Sequence, residues 1–276
     1  MRSRYIVKEI LSEISSKLKP FIPRASREAQ LLFMHCFNVD ELWLLTNQNT
    51  EVEDVKKLYE WVERRANNEP LEYITNKVSF YAQEFFIDYG ALIPRPETEL
   101  LIDEVLKNIK DVDAQMSFVE VGVGSGIISI VLAQKLKNAK FIAVDISNEA
   151  LKIARKNIEK FGMQDRIELR LGSLLDAVDE KIDYLVSNPP YIADDIELES
   201  NLSYEPQNAL FGGKVGDEII QKLLDEALKR KINFFTCEIG YDQKGKIQKY
   251  LETKEFEAIN FYKDYSNFDR GFTLKV

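Results

Sequence analysis

Beyond residue 116 the apolar positions fall in short runs, and most of the stretches between those runs carry apolar residues at a helical repeat. Runs at 118–121, 141–144, 167–171, 184–186 and 233–237 predict strands, and the repeats over 127–136, 148–160, 217–229 and 243–251 predict helices. Such alternation predicts a mostly parallel, twisted sheet covered by helices on both faces. The closing runs, 257–261 and 272–276, have no helix between them, so one should run antiparallel to the rest. Residues 1–68 carry a helical repeat throughout. Ile6, Ile10, Leu11, Ile14 and Leu18 share a face, and Pro20 ends that element. Ser26 is the expected cap of a second helix reaching Phe37, and Asp40 of a short third with Leu42, Trp43 and Leu45. Thr50 with Glu53 reads as a capping box for a fourth, carrying Val55, Leu58, Tyr59 and Val62. Strands at 78–80 and 84–87 suggest a hairpin. The domain reading is a helical bundle over 1–69, a hairpin linker over 70–95 and an α/β domain over 96–276.

Composition narrows the function. The 276 residues include 45% hydrophobic and 30% charged side chains, as in ordinary globular chains. A formal charge of −9 counts against a nucleic-acid substrate, which wants a basic face. Lys152, Arg155, Lys156 and Lys160 recur at helical spacing and read as a solvated helix face. Cys36, Cys237 and His35 have no metal-ligand spacing, and two distant cysteines make no disulfide framework, which fits a reducing compartment. His35 lies in the apolar stretch 31–37 and reads as a core residue. No run is long enough to span a membrane. Residues 1–20 lack an apolar secretory core, and Glu9 and Glu13 argue against a transit peptide, so the expectation is a cytoplasmic protein.

The first candidate site is a glycine loop. Val119-Glu120-Val121-Gly122-Val123-Gly124-Ser125-Gly126 follows a predicted strand and opens a predicted helix, the context in which glycines let a ligand approach the main chain. Asp145, after the next strand, suits a carboxylate accepting from two ribose hydroxyls. Ile127 stands where a dinucleotide site wants its third glycine, and Glu120 is unwelcoming to a pyrophosphate. A carboxylate there suits the ammonium of a methionine moiety, which favours S-adenosylmethionine.

The second is Asn188-Pro189-Pro190-Tyr191, at the carboxyl end of a strand and so in the same crevice. Two prolines fix φ and donate no hydrogen bonds. The Asn188 oxygen and the Pro189 carbonyl can then accept the two N–H bonds of a planar –NH₂ group. An amide nitrogen is a poor nucleophile because its lone pair is delocalised. Two acceptors hold it, favour pyramidalisation and stabilise the charge that grows as a methyl arrives. Tyr191 can pack on the planar group and the developing cation.

With Ile93-Pro94-Arg95-Pro96-Glu97-Thr98-Glu99, the glycine loop, Val144-Asp145, Val186-Ser187-Asn188-Pro189-Pro190-Tyr191-Ile192 and Tyr204-Glu205-Pro206-Gln207-Asn208-Ala209-Leu210, the chain resembles the release-factor glutamine methyltransferases (the HemK or PrmC family) over nearly its whole length. The N-P-P-Y motif alone is shared with DNA adenine methyltransferases; the P-R-P-E-T segment beside it is far more specific. The resemblance implies a Rossmann-like class I methyltransferase fold with a small N-terminal all-helical domain. It implies methyl transfer from S-adenosylmethionine, leaving S-adenosylhomocysteine, to the glutamine of the Gly-Gly-Gln motif in bacterial peptide chain release factors. By the same resemblance Glu120, Gly122, Val123, Gly124, Ser125, Gly126, Asp145 and Asn188 hold the cofactor, and Asn188, Pro189, Pro190 and Tyr191, with Arg95 and Glu97, the substrate; no metal is implied. Ser173 and Leu174 stand where many relatives have an acidic residue beside an aromatic one near the adenine. Ser173 would there bond the adenine and Leu174 pack on it. Glutamine methylation of a large-subunit ribosomal protein and nucleic-acid adenine methylation are the rival readings.

Overall fold

The computed structural model describes residues 4–276, so the first three residues of the 1–20 segment lie outside the described residues. Two compact units emerge: residues up to Lys77 together with Glu199–Tyr204, and Val78–Leu198 together with Glu205–Val276.

The first unit holds β1 (Tyr5–Ile6), α1 (Val7–Leu18), α2 (Ala25–Phe37), α3 (Glu41–Thr46), β2 (Glu51–Val52), α4 (Lys56–Ala66) and α5 (Leu71–Thr75). Val7, Ile10, Ile14, Leu18, Leu32, Phe33, Leu58 and Val62 form one buried cluster, the output of the helical repeats in the sequence. Asp40 caps α3, accepting from the Trp43 N–H at 2.7 Å. Two other expected caps fail. The Ser26 hydroxyl sits inside α2 and pairs with Ser15 at 2.8 Å, while Arg24 holds the N-cap without a side-chain bond. Thr50 and Glu53 form no capping box, because β2 pairs antiparallel with β1, and α4 begins only at Lys56. A local motif has here lost its backbone to a two-residue ladder between segments about 45 residues apart, while α1–α5 make up the helical region expected. His35 is half-buried in α2 rather than part of the core.

The second unit opens with β3 (Lys77–Phe80) and β4 (Gln83–Phe86), joined at Tyr81 and Ala82, both with positive φ. That is the backbone a two-residue hairpin demands. Glu99 accepts from the Tyr81 N–H at 2.6 Å, and the Tyr81 hydroxyl donates to Asp103 at 2.8 Å. Then come α6 (Thr98–Lys107), β5 (Ser117–Val121), α7 (Ile127–Lys135), β6 (Lys140–Asp145), α8 (Asn148–Lys160), β7 (Ile167–Leu171), β8 (Tyr184–Ser187), β9 (Ile192–Ala193), β10 (Phe211–Gly213), α9 (Glu218–Lys229), β11 (Phe234–Glu238), α10 (Lys244–Leu251), β12 (Ala258–Lys263) and β13 (Asp269–Lys275). Seven strands form one sheet in the order β12-β13-β11-β8-β5-β6-β7. All neighbours are parallel except β13, antiparallel to both β11 and β12, as the missing helix before it requires. The small parallel pair β9–β10 is too short to leave a sequence signal. Lys152, Arg155, Lys156 and Lys160 form the exposed face of α8.

In register, Phe141, Phe118, Tyr184 and Phe234 lie side by side on four adjacent strands. Their rings stack at 4.9, 5.1 and 5.4 Å between centroids. The Tyr184 hydroxyl pairs with Thr236, which pairs with Thr273, so the polar tip is satisfied in the core. Among the described residues no helix is long and apolar enough to cross a membrane. Phe118→Ala, which removes the centre of this row, should cost about 3–5 kcal/mol in urea unfolding; a loss below 1 kcal/mol would mean the row carries no share of the core.

Candidate active site

The sheet order reverses between β5 and β8: from β5 the chain winds outward through β6 and β7, then returns to β8 on the other side. At such a point the loops leaving neighbouring strands diverge and leave a crevice. β5 and β8 pair with Val121 opposite Ser187, and the Ser187 hydroxyl donates to the Val121 carbonyl at 2.7 Å. The glycine loop and the Asn188 turn therefore start side by side.

The glycine loop is held from beneath. The N–H groups of Gly122 and Val123 donate to the Val144 carbonyl at 2.9 and 3.1 Å, and the Gly124 N–H to Asp145 at 2.9 Å. Gly126 has φ +82°, and a Cβ there would stand 3.2 Å from that of Ala154 on α8, so the turn needs glycine for both conformation and packing. Asp145 also accepts from the Ser147 N–H at 2.9 Å. Each oxygen thus takes one backbone bond and keeps further lone pairs for a ligand.

Beside the loop lies a cavity of about 260 Å³. Glu120, Gly122, Val123, Gly124, Ser125, Asp145, Ser173, Leu174, Asn188 and Pro190 line it. Gly126 sits at the base of α7, outside the lining, where it shapes the turn. Ile146 adds an exposed apolar surface next to Asp145. Glu120, on the cavity wall, is 2% exposed. One of its oxygens takes the N–H of Ser129 at 2.9 Å and the hydroxyl of the same residue, while the other has no partner among the described residues. Burial pushes this carboxyl up to about 8, against the two Ser129 hydrogen bonds and with some help from Asp145. An orphaned buried oxygen on a cavity wall fits a ligand that brings a cation.

A second, narrower space of about 40 Å³ is lined by Leu92, Arg95, Asn188, Pro189, Tyr191, Ala209 and Leu210. Asn188 borders both cavities. Glu97 borders neither. The Asn188 amide donates through Nδ2 to the Thr98 hydroxyl at 3.1 Å, and its Oδ1 takes no hydrogen bond from the described residues. Burial, and then the nearby Glu238 charge, hold the Tyr191 hydroxyl well above its ordinary range, so Tyr191 stays neutral.

Several further residues support the site from behind. Glu205 is buried, accepts from the Ile93 N–H at 2.9 Å and pairs with Arg95, tying the P-R-P-E-T segment to the start of the later 205–210 stretch. Gln243 donates to the carbonyls of Tyr191 and Gly216, each at 3.0 Å, bracing the back of the turn. A Cβ on Gly212 would stand 2.4 Å from the Pro190 carbonyl, which explains the glycine there. Thr98 and Glu238 meet in a 2.8 Å hydrogen bond behind Asn188. Thr98 belongs to the P-R-P-E-T segment, but the sequence does not show that it stands between Glu238 and Asn188. Among the described residues no cluster of His, Cys, Asp and Glu side chains is arranged to hold a metal ion.

Comparison with known proteins shows the family and the fold. Residues 9–75 match the family described as PrmC N-terminal domain, and residues 96–205 that described as methyltransferase small domain. A protein of Dictyoglomus turgidum named release factor glutamine methyltransferase is 40% identical, over 83% of each chain. One of Clostridium botulinum with the same name is 34% identical, over 96% of this chain and 97% of its own. Among solved structures, the hMettl16 catalytic domain in complex with MAT2A 3'UTR hairpin 6 superposes with a TM-score of 0.58 at 13% identity, covering 82% of this chain and 84% of that one, which shows a shared fold.

The Glu120 environment predicts a pH signature in the free protein. Its folded value, raised above the unfolded one, gives a stability contribution that is fully present below about pH 4.5 and is lost as pH rises through about 8. Glu120→Gln should therefore unfold at higher denaturant than wild type at pH 8.5, by on the order of a few kcal/mol, with the gap closing toward pH 5. Equal midpoints across that range would show that the buried carboxyl costs nothing.

Proposed function

Since this chain belongs to the release factor glutamine methyltransferases, we propose that the turn at Asn188, Pro189, Pro190 and Tyr191 receives the glutamine of a Gly-Gly-Gln motif, and that the larger cavity receives S-adenosylmethionine. The observation that carries this reading is that Asn188 borders both cavities with its amide oxygen unbonded by the protein.

The residues present fit the cofactor. Glu120 has a buried oxygen that wants a cationic donor, for which the methionine ammonium serves. Asp145 retains lone pairs for the ribose hydroxyls. Ile146 and Leu174 offer apolar surface, and Ser173 a hydroxyl, to the adenine. When bound, the cofactor supplies an electrophilic methyl on a sulfonium centre.

The narrow space admits a side-chain amide between Arg95, Pro189 and Tyr191. The Asn188 oxygen and the Pro189 carbonyl accept its two N–H bonds and fix the nitrogen toward the larger cavity. Those same acceptors would stabilise the positive charge that develops on the nitrogen as it takes up a methyl group. The ring of Tyr191 faces that charge. The methylated nitrogen is strongly acidic, so its proton passes to water without a dedicated base. A glycine-flanked loop is narrow enough to reach this depth. The N-terminal unit supplies recognition surface, since a three-residue motif alone presents little.

Incubation with S-adenosylmethionine should add a single methyl group to a bacterial release factor, read by mass spectrometry, and a release factor with glutamate in place of that glutamine should not react. Methylation of a ribosomal protein or of DNA adenine instead, with the release factor untouched, would overturn the substrate reading. Asn188→Ala should lower kcat by roughly 30- to 1,000-fold, the loss of about 2–4 kcal/mol of transition-state stabilisation. Asp145→Ala should weaken cofactor binding about tenfold or more by calorimetry; unchanged affinity in a folded variant would remove Asp145 from the site.

A further inference from the structure

The amide of Asn188 is useful to the proposed chemistry in one orientation only. Its oxygen must face the substrate –NH₂; its nitrogen there would set donor against donor. The side chain is nearly symmetric in shape, so packing alone does not choose between the two. Something must read the difference between O and N.

We infer that Thr98 and Glu238 are positioning residues that lock the Asn188 amide with its oxygen toward the substrate, an inference that rests on the role proposed for Asn188. Asn188 Nδ2 lies 3.1 Å from the Thr98 hydroxyl, which lies 2.8 Å from a Glu238 oxygen. Thr98 and Glu238 are 3% and 1% exposed, so water does not compete for these bonds. An ionised carboxylate only accepts. The Thr98 hydroxyl must therefore donate to Glu238, which leaves only lone pairs facing Asn188. Only the –NH₂ end of the amide satisfies them. The polarity set by one buried charge is thus passed through one hydroxyl to the residue that touches the substrate.

The strand alternation builds this relay. Phe234, Thr236 and Glu238 share one face of β11, and the neighbouring β8 places Tyr184 and Val186 on that face, one residue pair before Asn188. α6 packs on that face against β11, so its first residue, Thr98, falls between Glu238 and Asn188. Glu238 is faced by Thr98 and Glu97 from the start of α6, by Tyr191 from the turn at 3.5 Å, by Arg270 from β13 and by Tyr262 from β12, with Cys237 beside it on β11. Burial raises Cys237 and Tyr262 well above neutrality, so neither ionises in competition. For Glu238, burial outweighs the Thr98 hydrogen bond and the Arg270 charge and holds the carboxyl up to about 7.

Below that pH the carboxyl gains a proton and donates to Thr98. The Thr98 hydrogen is then released toward Asn188, where it favours the amide oxygen, and the amide turns over. kcat should accordingly fall severalfold from pH 8 to pH 6, while affinity for the release factor, set by a larger surface, changes less. In Glu238→Gln that acid limb should vanish, with a lower plateau, because a glutamine offers Thr98 either end of its own amide. Thr98→Val, close in shape, should cut kcat at least about tenfold with KM for the release factor within about twofold, and Thr98→Ser should recover most of it. Melting curves check that each variant folds; should Thr98→Val fail to fold, the pH profiles of wild type and Glu238→Gln decide. An acid limb that is absent from wild type or persists in Glu238→Gln overturns the inference, as does a Thr98→Val enzyme within twofold of wild-type kcat. If Asn188→Ala is inactive in the same assay, the role of Asn188 survives that failure. If Asn188→Ala is active, both readings fall.

Discussion

The parallel pairing of β5 with β8 is the constraint on which the site depends. It brings two turns, one rich in glycine and one in proline, to the same edge of the sheet at the point where the winding reverses. Each turn answers the other's need. The glycine loop leaves its backbone uncovered by side chains, and the proline turn has no N–H groups at its two prolines; in the proposed reading the first serves the cofactor and the second the substrate amide. Ser187, fully buried between them, joins the two strands where they end.

Buried carboxylates are the second theme. Glu120 and Glu238 stand on the same face of the sheet, each more than nine-tenths enclosed, and burial raises both. Such groups lower stability unless they are well bonded. Glu120 leaves one oxygen open at the cavity, and Glu238 takes hydrogen bonds from Thr98, which bonds Asn188, and from Tyr191. The aromatic row through Phe118 and Tyr184 lies on the same face, one pair of residues deeper, and gives these strands an unyielding base.

The regular elements were legible because periodicity is a local property. The α/β alternation, the antiparallel last strand and the Asp40 cap all follow from neighbours in sequence. The Thr50–Glu53 box failed for the opposite reason: β1, some 45 residues earlier, competes for the same backbone.

The sequence by itself determined the family, the glycine loop, Asp145 and the turn at Asn188, because these depend on residue types at short fixed spacings that chemistry requires. The tertiary structure alone decided what stands behind them. Glu238 and Gln243 lie 47 and 52 residues from Tyr191, and nothing in their local spacing marks them; Thr98 and Glu205 stand in motifs that mark the family, but the motifs do not show what they bond. Their partners are chosen by strand order and by which face of β11 a side chain takes, and those follow from how the whole sheet closes its core.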